Sequence, residues 1–322
     1  MTTPSCSVVI CAYTERRWAD LEAAIASVRA QAHQPDEIIV VVDHNATLLE
    51  RVGAAYPGVR AVANSRERGL GGARNSGVVA ATGAIVTFLD DDALATSDWL
   101  AQLLAGYADP RVLGVGGLTE PAWEGGRPRW FPAEFNWVIG CTHRGMPEQA
   151  TVVRNLHGCN MSYRRELFDA VGGFRLGYGC DETEFCIRLG QRRRDGMLLH
   201  QPLARAYHRV PAERGRWRYF QTRCFFEGRS KAVVAWLVGG KDGLAAERAH
   251  TMRTLPTGVL RALADVAVRR DPSGLARAAA IVAGFAITTA GYLSGCRTVV
   301  EAARERGWSE ASDQPATVPA TT

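Results

Sequence analysis

Residues 83–93 read GAIVTFLDDDA, and the interpretation of the chain turns on this stretch. Ile85 to Leu89 is rich in β-branched and aromatic residues, with Thr87 its one polar member, the composition of a strand buried on both faces of a parallel sheet. It ends in Asp90, Asp91 and Asp92. A buried carboxylate without a partner is very costly, so these three must meet solvent, hydrogen bonds or a cation. A divalent metal is the economical reading, because the C-terminal ends of strands in an open parallel sheet border the crevice where ligands bind. The plainer alternative is an acidic turn that caps the following helix, since Asp favours turns and N-caps.

Outward from this strand the chain alternates in type. Residues 7–12 (SVVICA) and 37–42 (EIIVVV, followed by Asp43) read as buried strands and 59–63 as a third. Between them, residues 20–31 place Leu21, Ala24, Ile25 and Val28 on one helical face, and 46–56 read as a helix stopped by Pro57-Gly58. The turn Gly69-Leu70-Gly71-Gly72 leads into a helix predicted over 73–81, Ser97 caps a helix through Tyr107, and 112–115 form a further strand. Such repetition predicts an α/β protein with a doubly wound sheet. A glycine-rich turn before a helix aims backbone N–H groups at an anion, and Arg74 adds a charged fork, which points to a nucleotide or diphosphate; a purely structural turn is the alternative. GLGGAR lacks the dinucleotide G-x-G-x-x-G pattern, and no Walker lysine follows.

Beyond Gly117 the order loosens. Residues 119–150 (PAWEGGRPRWFP among them) look too polar and broken for regular elements and suit a lid or binding segment. Order returns with LHGCNMS (156–162), a helix over 164–174, and a helix opened by Asp181, Glu182 and Glu184. These carboxylates suit either the helix dipole or a catalytic base at the cleft mouth. Ala206-Tyr207-His208 follows a short strand whose apolar part is 198–200, and a lone histidine serves structure or ligation.

The 322 residues suffice for a sizeable core, and the net charge of +5 is modest. Between Arg188 and Lys231, twelve basic residues face three acidic ones, which suits phosphates, anionic lipid or solvent. Eight cysteines lack metal-site spacing. Cys6, Cys11 and Cys159 lie in apolar stretches, so reduced, buried thiols in a cytoplasmic protein are expected. No signal peptide is expected, because residues 1–5 are polar.

Together, SVVICAYTERR (7–17), VVVDHN (40–45), GLGGARNSGVVAATG (69–83), FLDDDA (88–93), GCNMSYRRELFDAVGGF (158–174) and CDETEFCIRL (180–189) resemble, in order and spacing over residues 7–231, the family 2 glycosyltransferases of GT-A fold. The resemblance implies a mixed α/β sheet that binds a nucleotide sugar, a contiguous acceptor half, and inversion at the anomeric centre. By position it implies that Asp43 and Arg74 recognise the nucleotide base, with the loop Tyr13, Thr14 and Glu15 beside them. Asp90 then meets the ribose or the metal, Asp91 belongs to the donor contacts, and Asp92 holds a Mg²⁺ or Mn²⁺ ion bridged to the diphosphate, with His208 as a further ligand. The base falls on Asp181-Glu182, where the family carries Glu-Asp; Glu182 aligns with the base and Asp181 is the alternative. A metal held by hard oxygens neutralises the leaving diphosphate, and a carboxylate takes the acceptor hydroxyl proton in a single displacement.

The implied organisation is a catalytic domain over 1–231 (nucleotide half 1–117, acceptor half 118–231), a helical extension over 232–308 and a disordered tail over 309–322. Residues 217–231 read as a basic, aromatic amphipathic helix, and 258–270 interleave leucines with arginines as for an anionic membrane surface. Residues 278–296 carry no charge; an interfacial or weakly inserted helix is expected over a true span, with a helix packed on the catalytic domain as the alternative. The expected protein is a cytoplasmic enzyme peripheral to the inner face of the cell membrane. It takes a UDP-sugar and a glycan, polyprenyl-linked or small-molecule acceptor, and has no nucleic-acid partner. A nucleotidyltransferase is the alternative enzyme class, although the expected lysine-containing glycine-rich signature is missing from CAYTERR; a non-catalytic nucleotide-sugar-binding homologue is the other.

Overall fold

The computed structural model describes residues 3–175 and 179–305; the tail expected over 309–322 lies outside them. The first third alternates as the periodicity predicts: β1 (Cys6–Ala12), α1 (Trp18–Arg29), β2 (Glu37–Val42), α2 (Ala46–Ala55), β3 (Val59–Ala63), α3 (Leu70–Ala80) and β4 (Ile85–Asp90). Then come β5 (Ala93–Ala95), α4 (Trp99–Ala105), β6 (Val112–Trp123), β7 (Thr151–Val153), β8 (Asn160–Arg164), α5 (Glu166–Val171), α6 (Asp181–Arg192) and β9 (Met197–Val210). Five helices close the described chain: α7 (Trp217–Val238), α8 (Gly240–Gly243), α9 (Ala245–Ala249), α10 (Leu255–Arg269) and α11 (Ser273–Glu305).

The strands form one mixed sheet in the order β3-β2-β1-β4-β8-β6-β9-β5, with β7 paired to β9. β3, β2, β1 and β4 are parallel, so the ends carrying Ala12, Asp43 and Asp90 open on the same side. β8 joins β4 antiparallel and carries the sheet into the second half of the chain. Alternation along the strands divides the core between the two faces of the sheet. Val8 and Ile10 pack with Leu21, Ile25 and Val28 of α1 on one face, while Val9, Ile39 and Phe88 meet Phe168, Phe174 and Phe185 on the other. All eight cysteines are unbridged; Cys6 and Cys159 are buried and Cys11 half-buried.

Two stretches depart from the sequence-based expectation. Residues 119–123 are not irregular: they extend β6, in parallel register with β9 from Leu118↔Arg205 to Trp123↔Val210. Glycine and proline disguise this strand, yet β8 pairs β6 only at Gly114 to Gly116. At Pro121 the other side of the strand is an edge, where a missing N–H is tolerated. His208, expected beyond a short strand, lies within the 14-residue β9. Smaller shifts concern helix ends: α3 begins at Leu70, inside the glycine turn, and α5 stops at Val171 because Gly172 takes a φ of 81°.

The apolar stretch at 278–296 belongs to α11, which packs along α7. The contact is close because glycines bring the backbones together. A Cβ at Gly228 would collide with the carbonyl oxygen of Thr288, and one at Gly291 with that of Phe225. We expect Gly228→Val to destabilise the protein by about 1–3 kcal/mol, the usual range for overpacking. Thermal unfolding checks this, and an unchanged melting temperature would mean that the seam does not pack as described.

Candidate active site

β4 delivers Asp90 at its end, and the turn after it holds Asp91 and Asp92, both buried. The register Ala93↔His208 between β5 and β9 sets the imidazole beside this turn, and His208 Nε2 lies 3.1 Å from Asp92 Oδ1. Arg17, in the short 3₁₀ turn Glu15–Arg17, reaches both acids: its Nη1 is 2.9 Å from Asp91 Oδ1 and 3.2 Å from Asp92 Oδ2. Arg214, from the 3₁₀ turn Ala212–Gly215, stands 3.5 Å from Asp92 Oδ2. Burial alone would raise both carboxyls, and the outcome follows the partners. Asp91 is pushed up to about 7 by burial and by Asp92, only partly offset by Arg17. For Asp92, the His208 hydrogen bond and the two arginines overcome burial and hold it at about 2.

A second group faces the first across Arg74. This guanidinium is 2% exposed; its Nη2 donates to Gly158 O at 2.9 Å and lies 3.5 Å from Asp90, while Nη1 lies 3.6 Å from Asp181. Asp181 and Glu182 open α6 directly after Cys180, whose φ of 56° bends the chain sharply at that point. A non-glycine residue there is strained, a feature that concentrates at functional sites. Burial and the neighbouring Asp181 raise the Glu182 carboxyl above its ordinary range, against the pull of Arg74. Glu184, one turn further in, is fully buried and locked by Arg188 at 2.7 Å and Arg175 at 3.2 Å, so it serves the helix rather than the cleft.

The ends of β1 and β2 form the third group. Asp43 accepts hydrogen bonds from Asn64 Nδ2 at 2.6 Å and from the Gly69 N–H at 3.0 Å. Against burial, these bonds and His44 lower its carboxyl. Gly69 is thus tied to an acid, and the glycine turn is held against the end of β2. Thr14 caps the turn of Arg17 by accepting from the Arg16 N–H, Glu15 accepts from Asn45 Nδ2 at 3.0 Å, and Tyr13 stands exposed at the rim.

The structure therefore brings Arg74, Asp90, Asp91, Asp92, Asp181 and His208 into one charge network, with Glu182 beside it and Asp43, Tyr13, Thr14 and Glu15 along the same edge of the sheet. Sequence reasoning missed Arg17 and Arg214. Both lie in stretches it singled out, but nothing in a run of arginines marks which one turns inward. It also passed over Cys159 as a mere core thiol. The donor atoms suit a divalent cation: a carboxylate oxygen of Asp90, a ring nitrogen of His208 and Sγ of Cys159 lie within 4.8 Å of one another, and the buried Asp91 Oδ2 has no hydrogen-bond partner.

A mixed sheet whose strand ends gather aspartates around a histidine and an arginine is the arrangement of a GT-A glycosyltransferase. Comparison with known proteins agrees: residues 7–172 match the family described as Glycosyl transferase family 2, and the chain belongs to that family. It is 32% identical over 308 residues to a glucosyl-dolichyl phosphate glucuronosyltransferase of Haloferax volcanii, covering 91% of this chain and 96% of the relative. It is 28% identical over 187 residues to the succinoglycan biosynthesis protein ExoM of Rhizobium meliloti, covering 56% of this chain and 54% of that one. Its fold superimposes on the mannosyltransferase PcManGT of Pyrobaculum calidifontis, solved with GDP-Man and Mn²⁺, with a TM-score of 0.58 at 21% identity over 92% of this chain and 87% of the other. GalNAc-T7, solved with UDP, GalNAc and Mn²⁺, gives a TM-score of 0.54 at 20% identity over 73% of this chain, which spans 50% of that structure. The protein is a glycosyltransferase.

The raised Asp91 carboxyl has a consequence for stability. In the unfolded chain it ionises in the ordinary aspartate range, whereas in the fold it keeps its proton up to about 7. Ionising it therefore costs the folded state progressively more as pH rises between those limits. Asp91→Asn should remove this cost, so its melting temperature should gain on wild type from pH 4 to pH 8. Parallel melting-temperature profiles would show that Asp91 does not titrate in this way.

Proposed function

We propose that this glycosyltransferase moves a sugar from a nucleoside diphosphate sugar, with uridine as the base, to a hydroxyl of a polyprenyl-linked or glycan acceptor, inverting the anomeric centre. The observation that carries the reading is Arg74, one buried guanidinium shared by the acid at the donor end, Asp90, and the acid at the head of α6, Asp181. It holds the donor carboxylates and the base within one rigid network. Asp43, with the Tyr13, Thr14 and Glu15 loop, borders the nucleoside, and Arg17 and Arg214 stand where a diphosphate brings negative charge. Asp90, Asp92 and His208 would hold a divalent ion, Mg²⁺ or Mn²⁺, which neutralises the leaving diphosphate. Glu182 accepts the acceptor hydroxyl proton as the oxygen attacks, and Asp181, linked to Arg74, keeps it in place. The proposed catalytic unit spans residues 1–231.

Because burial and Asp181 raise the Glu182 carboxyl, the ionised base becomes populated only above the ordinary carboxylate range. The rate should rise with pH along a limb displaced upward from that range. Glu182→Gln should abolish transfer and this limb while UDP-sugar and Mn²⁺ still raise the melting temperature. Full activity in the variant would move the base elsewhere; loss of the thermal shift would place Glu182 in the donor site instead.

The acceptor side of the proposal rests on two supports. The Haloferax volcanii relative is named for a dolichyl phosphate compound, and α11 is long and apolar enough to cross a membrane. Its inner face is held on α7, but Val282, Phe285 and Leu293 point outward, 59%, 44% and 59% exposed. Leu260 and Leu263 of α10 and Phe226 of α7 are exposed too. A helix seated on its neighbour along one face, with arginines at both ends of the apolar run, suits a protein lying on the cytoplasmic face of a membrane rather than spanning it. We expect the full chain to float with anionic vesicles and the double variant Val282→Glu, Phe285→Glu to stay in the soluble fraction. Equal flotation of both would exclude this face, and extraction of the wild type only by detergent would indicate a span.

A further inference from the structure

Cys159 lies immediately before β8, and its neighbour Asn160 pairs with Leu89 in the antiparallel register of β4 and β8. The thiol therefore sits across from Asp90 at the head of the acidic turn. It is 4% exposed, within the apolar layer that also holds Ile10, Leu89 and Ala93. Any small apolar side chain would fill that place as well as a thiol, and only the thiol adds a donor atom. Bond lengths of about 2.0–2.3 Å place tetrahedral donors of one ion about 3.3–3.8 Å apart. Cys159 Sγ, the Asp90 carboxylate and the His208 ring nitrogen all lie within 4.8 Å of one another, close enough to share an ion once the side chains draw in around it.

The histidine is held ready for this geometry. Its Nε2 faces Asp92 at 3.1 Å and its Nδ1 lies 3.8 Å from Cys141 Sγ, so a carboxylate and a second thiol fix the ring from both sides. Gly140, at a φ of 76°, brings the backbone against the imidazole; a Cβ there would stand 3.4 Å from His208 Cε1. The contacts of Cys141 and Gly140 orient the ring from outside and leave Nε2 on the side of Asp92, where the two would share the ion.

We propose that Cys159 is a sulfur ligand of the cation held by Asp90, Asp92 and His208, so that the site has a mixed oxygen, nitrogen and sulfur donor set. The inference rests on the metal reading made above. As the metal–sulfur bond forms, the S–H proton passes to solvent, since a cation in contact with a thiol deprotonates it. An oxygen and nitrogen site accommodates Mg²⁺ and Mn²⁺ alike, whereas a thiolate favours thiophilic ions and disfavours Mg²⁺. This enzyme should therefore rank Cd²⁺ and Co²⁺ well above Mg²⁺.

The test uses the full chain in a Cys296→Ser background, because Cys296 is an exposed thiol. Cd²⁺ and Co²⁺ are titrated in the presence of UDP, with metal binding followed by calorimetry and ligation by the ultraviolet thiolate-to-metal charge-transfer band. The band should appear at one equivalent, persist in Cys141→Ser, and vanish in Cys159→Ser and Cys159→Ala. Cd²⁺ affinity should fall about 10-fold or more in the Cys159 variants while Mg²⁺ affinity is unchanged. A band retained in both Cys159 variants, or Cd²⁺ bound by the parent without any band, would overturn the proposal. Failure of the parent to bind any of these ions would overturn the metal reading and this inference with it. Two Cys159 variants are used so that the assignment stands on the other if one fails to fold.

Discussion

Arg74 is the constraint on which the site depends. Its guanidinium keeps its charge at any physiological pH, and burying it is expensive unless carboxylates and carbonyls surround it. The chain supplies Asp90 from the end of β4, Asp181 from the head of α6 and the Gly158 carbonyl from the approach to β8. Those three segments are distant in sequence. Satisfying one cation therefore draws the end of β4, the approach to β8 and the head of α6 together, and the turn at Cys180 starts α6 where Asp181 reaches Arg74.

The acidic turn shows the same balance in finer grain. Asp91 and Asp92 are neighbours in sequence, equally buried, and in contact with the same Arg17, yet they behave oppositely. Asp92 also has His208 and Arg214, and it stays ionised; Asp91 has one oxygen without a partner and holds its proton. Position in a motif does not decide the charge of a carboxyl, and the number of cations around it does.

Much of this was legible in the sequence, and the reason is periodicity. The β-branched runs of β1, β2 and β4 and the apolar stripe of α1 are local signals, and the aspartates that end β2 and β4 are visible because acids interrupt apolar runs. The full length of β6 and β9 was not legible: only 112–115 and a short strand around 198–200 were read, because the rest takes its strand character from mutual pairing and Gly116, Gly117 and Pro121 argue locally against it. The same holds at the site. Asp90, Asp92 and Asp181 stood out by composition, whereas Arg17, Arg214 and Cys159 gain their meaning only from what the fold sets beside them.

The glycine seam between α7 and α11 joins two backbones so closely that the helices must move as one body. α7 begins just after the turn that carries Arg214, and Arg214 touches Asp92. The outer face of α11 and the acidic turn are thus connected through a stiff strut of fixed length. Whatever that face rests on, the cleft stands at a set height above it.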